Sequence, residues 1–86
     1  MPVVSAFFGI IIRMYYNDHN PPHIHVEFQG RKALVDFRGN VLMGELGSRT
    51  ALKLVREWID LHPEELTEDW TAAREGREIK KIDPLD

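Results

Sequence analysis

The stretch His23-Ile24-His25-Val26-Glu27-Phe28-Gln29-Gly30-Arg31-Lys32-Ala33-Leu34-Val35-Asp36-Phe37 decides the fold. Ile24, Val26 and Phe28 alternate with His23, His25 and Glu27, and after a glycine-bearing break Ala33, Val35 and Phe37 alternate in the same way. Successive side chains of a strand point to opposite faces, so a period of two marks half-buried strands. Strands over 23–29 and 32–37, joined by a Gly30-Arg31 turn, are predicted to form a hairpin. Setting Gln29 opposite Lys32 brings Phe28 to Ala33, Val26 to Val35 and Ile24 to Phe37 on one face. The same register sets Glu27 against Leu34, His25 against Asp36 and His23 against Arg38 on the other.

Upstream, Ile10 to Tyr16 is rich in β-branched and aromatic residues and is stopped by Asn17, Asp18, Asn20, Pro21 and Pro22, which predicts a buried strand ending in a stiff loop. Downstream, Arg38-Gly39-Asn40 is a turn into a short strand over 41–43, ahead of Gly44 and Gly47. The period then changes. Ser48 is a natural N-cap, and Leu52, Val55, Trp58, Ile59 and His62 recur at helical spacing, predicting a helix from about Arg49 to Leu61. Pro63 followed by Glu64 and Glu65 suits the start of a second helix, which runs to about Glu75, stops at Gly76 and turns Leu66, Trp70 and Ala73 inward. Ile79 to Ile82 is a candidate edge strand, and Asp83-Pro84 ends regular structure. The expected fold is α+β: a small, mostly antiparallel sheet of four or five strands with two C-terminal helices packed on one face. The histidine face is then left to solvent or a partner.

The 86 residues suit one domain, 1–86, with 43% apolar and 29% charged residues and only 6 Gly and 5 Pro, an ordinary globular composition. Zero cysteines exclude a disulfide framework, a thiolate metal site and a cysteine nucleophile. A net charge of -3 argues against general nucleic-acid binding. The apolar run Phe7 to Ile12 lacks preceding basic residues and a cleavage site, so it does not read as a signal peptide, and no stretch approaches the ~20 apolar residues of a membrane span. A cytoplasmic location is expected.

Three of the 4 histidines, His19, His23 and His25, cluster beside Asp18. Histidine titrates near neutral pH and is the commonest metal ligand, so the cluster points to proton transfer or to an ion. Residues i and i+2 of a strand lie about 6.6 Å apart on one face, close enough for His23 and His25 to share a divalent transition metal, with His19 or Asp18 supplied by the loop. Asp36 is then expected to orient His25 from behind. Arg13 and Tyr15 fall on the same face if Ile10, Ile12 and Met14 point to the core. His23, His25, Asp36, Arg13 and Tyr15 would together supply what RNA cleavage by 2′-hydroxyl attack needs, with histidine moving protons and arginine stabilising the phosphorane. A purely structural reading stands beside these, with Asp18 capping the turn and the imidazoles as surface hydrogen-bonders. The likeness to the histidine triad of nucleotide hydrolases is superficial, because the third histidine is displaced into the proline loop. Arg49, Lys53 and Arg56 form a basic stripe that suits phosphate, an acidic partner or plain solvation. A DNA-binding helix-turn-helix is disfavoured by Glu64, Glu65, Glu68 and Asp69 on the second helix.

The segments Ile11-Ile12-Arg13-Met14-Tyr15-Tyr16 and Asp18-His19-Asn20-Pro21-Pro22-His23-Ile24-His25-Val26, the tryptophan-bearing helix, and the ending Lys80-Lys81-Ile82-Asp83-Pro84-Leu85 resemble the bacterial family called domain of unknown function 4160. The resemblance covers nearly the whole chain. It implies a partner, a second small protein often of the domain of unknown function 2442 type, encoded alongside in pairs proposed to be toxin and antitoxin. It carries no catalytic residues over. The expected function is therefore that of a pair member acting through partner binding, with the histidine face as its active or binding site. A stand-alone metal-binding or RNA-cleaving enzyme and a DNA-binding regulator are the alternatives. An exposed sheet edge suits the partner or a second copy of this chain.

Overall fold

Residues 2–86 are described by a computed structural model, in which five strands precede two helices. They are β1 (Val3–Phe7), β2 (Ile10–Arg13), β3 (His23–Phe28), β4 (Arg31–Asp36) and β5 (Val41–Gly44), then α1 (Arg49–Leu61) and α2 (Pro63–Arg74). All strand pairs are antiparallel and the sheet order is that of the chain, β1-β2-β3-β4-β5.

Two turns of the same kind build the first and third strand pairs. Phe8-Gly9 and Gln29-Gly30 hold positive φ at both central positions, 50° and 79° in the first and 49° and 79° in the second. Positive φ at both positions gives a primed turn, whose twist matches that of paired strands. The turn after β3 is thus Gln29-Gly30 and not Gly30-Arg31, which corrects the predicted register. Arg31 joins β4 opposite Phe28, Glu27 faces Lys32, Val26 faces Ala33, His25 faces Leu34, Ile24 faces Val35 and His23 faces Asp36. The change is a shift by two residues, and a two-residue shift leaves every side chain on its predicted face. Alternation alone could not distinguish the registers. What it changes is Asp36, which pairs with His23 and not with His25.

β1 and the turn after it were not foreseen, because the apolar run through Phe7 and Phe8 hides a break at a residue that rarely takes positive φ. β2 is accordingly shorter than predicted and ends at Arg13. The tail is not a strand either. It lies along β1 by one backbone hydrogen bond, Ile82 N–H to Val4 O at 2.9 Å, and is pinned by Trp58 Nε1–H donating to Asp83 O at 2.8 Å.

Both helices occupy their predicted ranges. Ser48 Oγ accepts from Ala51 N–H at 3.1 Å, closing α1 at its N-terminus, and Pro63 opens α2 with Glu64 and Glu65 in the first turn. Ile10, Ile12, Ile24, Val26 and Val35 of the sheet share one buried core with Val55 and Trp58 of α1 and Leu66 and Trp70 of α2. Each such aliphatic side chain contributes roughly 1.5–3 kcal/mol by leaving water. That core fixes α2 across the beginning of β3.

Candidate functional site

The loop between β2 and β3 is shaped by a few residues. Asn17 takes φ 55°, a conformation asparagine tolerates better than most residues. Asp18 then uses its two carboxylate oxygens differently. Oδ1 accepts from the backbone N–H of His19 at 2.9 Å, which anchors the side chain to its own loop. Oδ2 faces both strand histidines, 2.8 Å from His25 Nε2 and 3.0 Å from His23 Nε2. The three groups Asp18, His23 and His25 offer ligand atoms that all lie within 4.8 Å of one another.

The second nitrogen of His23 settles its tautomer. Nδ1 lies 2.7 Å from Pro21 O. A carbonyl oxygen only accepts, so Nδ1 carries a proton, and Nε2 is left facing the Asp18 carboxylate. His23 is also buried, at 5% exposure, with its ring 5.5 Å from that of Trp70. The expected solvent-facing histidine pair is corrected at this residue, because the first residue of β3 comes under α2. His25 stays half-buried, with Tyr15 edge-on to it at 4.2 Å and His23 at 5.1 Å between ring centroids. Burial pushes the Asp18 carboxyl up, but the hydrogen bonds from His25 and the His19 backbone and the charges of both strand histidines outweigh it and hold the group below its usual range.

The remaining candidates are placed elsewhere. His19 is exposed, and its backbone rather than its ring meets Asp18. Asp36 does not orient His25. Its Oδ1 accepts from the backbone N–H of Arg38 and of Asn40, both at 2.9 Å, so it caps the turn between β4 and β5. Burial, the largest single influence, raises its carboxyl, but these backbone hydrogen bonds, the Asn40 side chain and the Arg38 charge together hold it below its usual range. Arg13 is tied in an ion pair to Glu27 on the neighbouring strand, which leaves less of its charge for a phosphate. Trp70 was expected only as an inward residue of the second helix and Pro21 only as a stiffener of the loop, and neither was linked to His23. Neither carries a local signal, since one acts by tertiary packing and the other through its backbone.

A second feature lies at the sheet's far edge. All four residues of β5 are exposed, and Val41, Leu42 and Met43 keep 39, 43 and 67% of their surface open. The basic stripe on α1 is partly engaged, since Arg56 Nε–H donates to Gly39 O at 2.8 Å. No helix is long and apolar enough to cross a membrane among the described residues.

A family model described as domain of unknown function (DUF4160) matches residues 9–71, which include β2 to β5, α1, most of α2 and the whole histidine loop. No curated protein and no solved structure matches the chain.

Proposed function

The chain belongs to the DUF4160 family, and we propose that it is a cytoplasmic bacterial member of a toxin-antitoxin-like pair that takes a strand of its small partner protein onto the free edge of β5. One contrast supports this reading above all. The β1 edge is covered by the tail through the Ile82 to Val4 hydrogen bond, whereas the β5 edge is open and carries Val41, Leu42 and Met43 in water. Natural edge strands are usually guarded by lysine, proline or a covering segment, because open backbone groups pair with any available strand. β5 reads Val41-Leu42-Met43-Gly44, with no lysine, proline or covering segment, and only its shortness and a register irregularity against Leu34 and Val35 limit pairing along it. A partner strand would satisfy the outer N–H and C=O groups while covering alternate side chains on each face.

The test is co-expression with the product of the adjacent gene, followed by co-purification and growth. The partner is expected to co-purify with the native chain and to be lost from Leu42→Lys and Met43→Lys, both of which change exposed side chains and leave the circular dichroism of the lone chain unaltered. Undiminished co-purification of both lysine variants would overturn the proposal. A dimer of the chain by itself that the same variants dissolve would also overturn it, by making a second copy the occupant of the edge.

A further inference from the structure

We infer that Asp18, His23 and His25 form a binding site for a divalent first-row transition ion of the zinc type. The inference does not depend on strand pairing at β5 and uses none of its residues.

The donor set is two imidazole nitrogens and one carboxylate oxygen, which suits Zn²⁺ and its neighbours in the series and does not suit Mg²⁺ or Ca²⁺, whose ligands are oxygens. The site is built by two elements at once. β3 presents His23 and His25 two residues apart, and the loop anchored by the Asp18 Oδ1 contact to His19 brings Oδ2 between them. His23 has the arrangement of a metal-bound imidazole, with one nitrogen donating to a backbone carbonyl and the other aimed at the convergence point. His23 Nε2 faces the Asp18 carboxylate at 3.0 Å in a place closed to water on the His23 side, so the contact calls for a positive charge between them, a proton on Nε2 or a bound cation. A metal cation meets that need and takes His25 as its third ligand.

The dimensions fit with little movement. Ligands 2.0–2.2 Å from a tetrahedral ion are roughly 3.3 Å apart, so the 2.8 and 3.0 Å separations need to widen by a few tenths of an ångström, and the two histidine nitrogens, within 4.8 Å of each other, need to close to a similar distance. His25 and Asp18, partly buried with 25 and 17% of their side chains exposed, supply the movement while buried His23 stays fixed. Beyond Asp18 the surface opens into a polar cleft lined by Asn17, His19, Asn20 and Arg74. Three protein ligands and an open side leave a position for water, as in catalytic rather than closed structural zinc sites.

Calorimetric titration of the full chain with Zn²⁺ in a non-chelating buffer tests this, with Co²⁺ as a spectroscopic probe. About one ion per chain is expected, with the visible absorption of low-coordinate Co²⁺. His25→Ala and Asp18→Asn are expected to weaken binding by more than the roughly 10–100-fold loss that a merely supporting residue can cause. His19→Ala is expected to bind as the native chain does. His25 and Asp18 are chosen because they are only partly buried, and circular dichroism of each variant confirms that it folds. Absence of saturable binding to the native chain would mean that His23 is held by a second proton alone, and would overturn the inference. Equal affinity in the His25→Ala and Asp18→Asn variants would overturn it too.

Discussion

Asp18 Oδ2 stands 3.0 Å from Nε2 of His23, so a loop carboxylate, not a strand one, meets the buried histidine. The relationship joins the proline loop to the sheet and, through Trp70, to α2. It also makes the loop's stability depend on one charge.

Asp18→Asn is expected to cost about 1.5–3 kcal/mol at pH 5, the range for hydrogen bonds to a charged group. The folded-state carboxyl lies below its ordinary value of 3.8, so its contribution is present above that value and is lost as pH falls through the lower folded value. Urea unfolding at a series of pH values should show the native chain and the variant converging in acid. A difference that stays constant from pH 5 down to pH 2 would refute the assignment.

Gly44→Ala should destabilise the chain by about 2 kcal/mol or more. Gly44 has φ +77°, and a Cβ there would lie 2.3 Å from the backbone oxygen of Lys32, which has no side-chain freedom to yield. Gly30→Ala is the comparison, with similar φ of +79° and nothing within 4 Å. Thermal melts should rank Gly44→Ala clearly below Gly30→Ala. Equal melting temperatures would mean that β5 does not approach β4 as described.

Asp69 on α2 offers the opposite pH sign. It is buried at 4% exposure, its Oδ1 accepts from Lys80 N–H at 3.0 Å, and its Oδ2 has no partner among the described residues. Burial pushes its carboxyl up, with Glu65 and Glu68 adding to the rise against the opposing Lys80 contacts. A raised folded-state value means that the ionised group destabilises the fold, with no penalty below 3.8 and the full penalty above the raised value. The stability of Asp69→Asn minus that of the native chain should therefore grow as pH rises through that window. A difference that shrinks over the same range would show the carboxylate to be stabilised instead.

Much of this architecture is legible in the residues because it depends on local periodicity. Ser48 and Pro63 set the helix starts, and the alternation from His23 to Phe37 assigns each side chain to its face. The register was not legible, since two pairings with the same parity differ only in which residue of Gln29-Gly30-Arg31 accepts positive φ. β1 was hidden for the same reason, a left-handed Phe8 inside an apolar run. At the site, the residue types and their clustering pointed to His23 and His25 with either His19 or Asp18 from the loop, and only Asp18 reaches them with its side chain. The choice between Asp18 and Asp36 depended on side-chain contacts across the register and the turn, which spacing does not carry.

Long-range ¹H–¹⁵N spectra of the imidazoles in the native chain, Asp18→Asn and Asp36→Asn, recorded without added metal, test most directly whether one loop carboxylate gathers both rings. His23 should be protonated at Nδ1 in the native chain, and the Nε2 resonances of His23 and His25 should move in Asp18→Asn and hold still in Asp36→Asn. Resonances that respond to Asp36→Asn and ignore Asp18→Asn would contradict it.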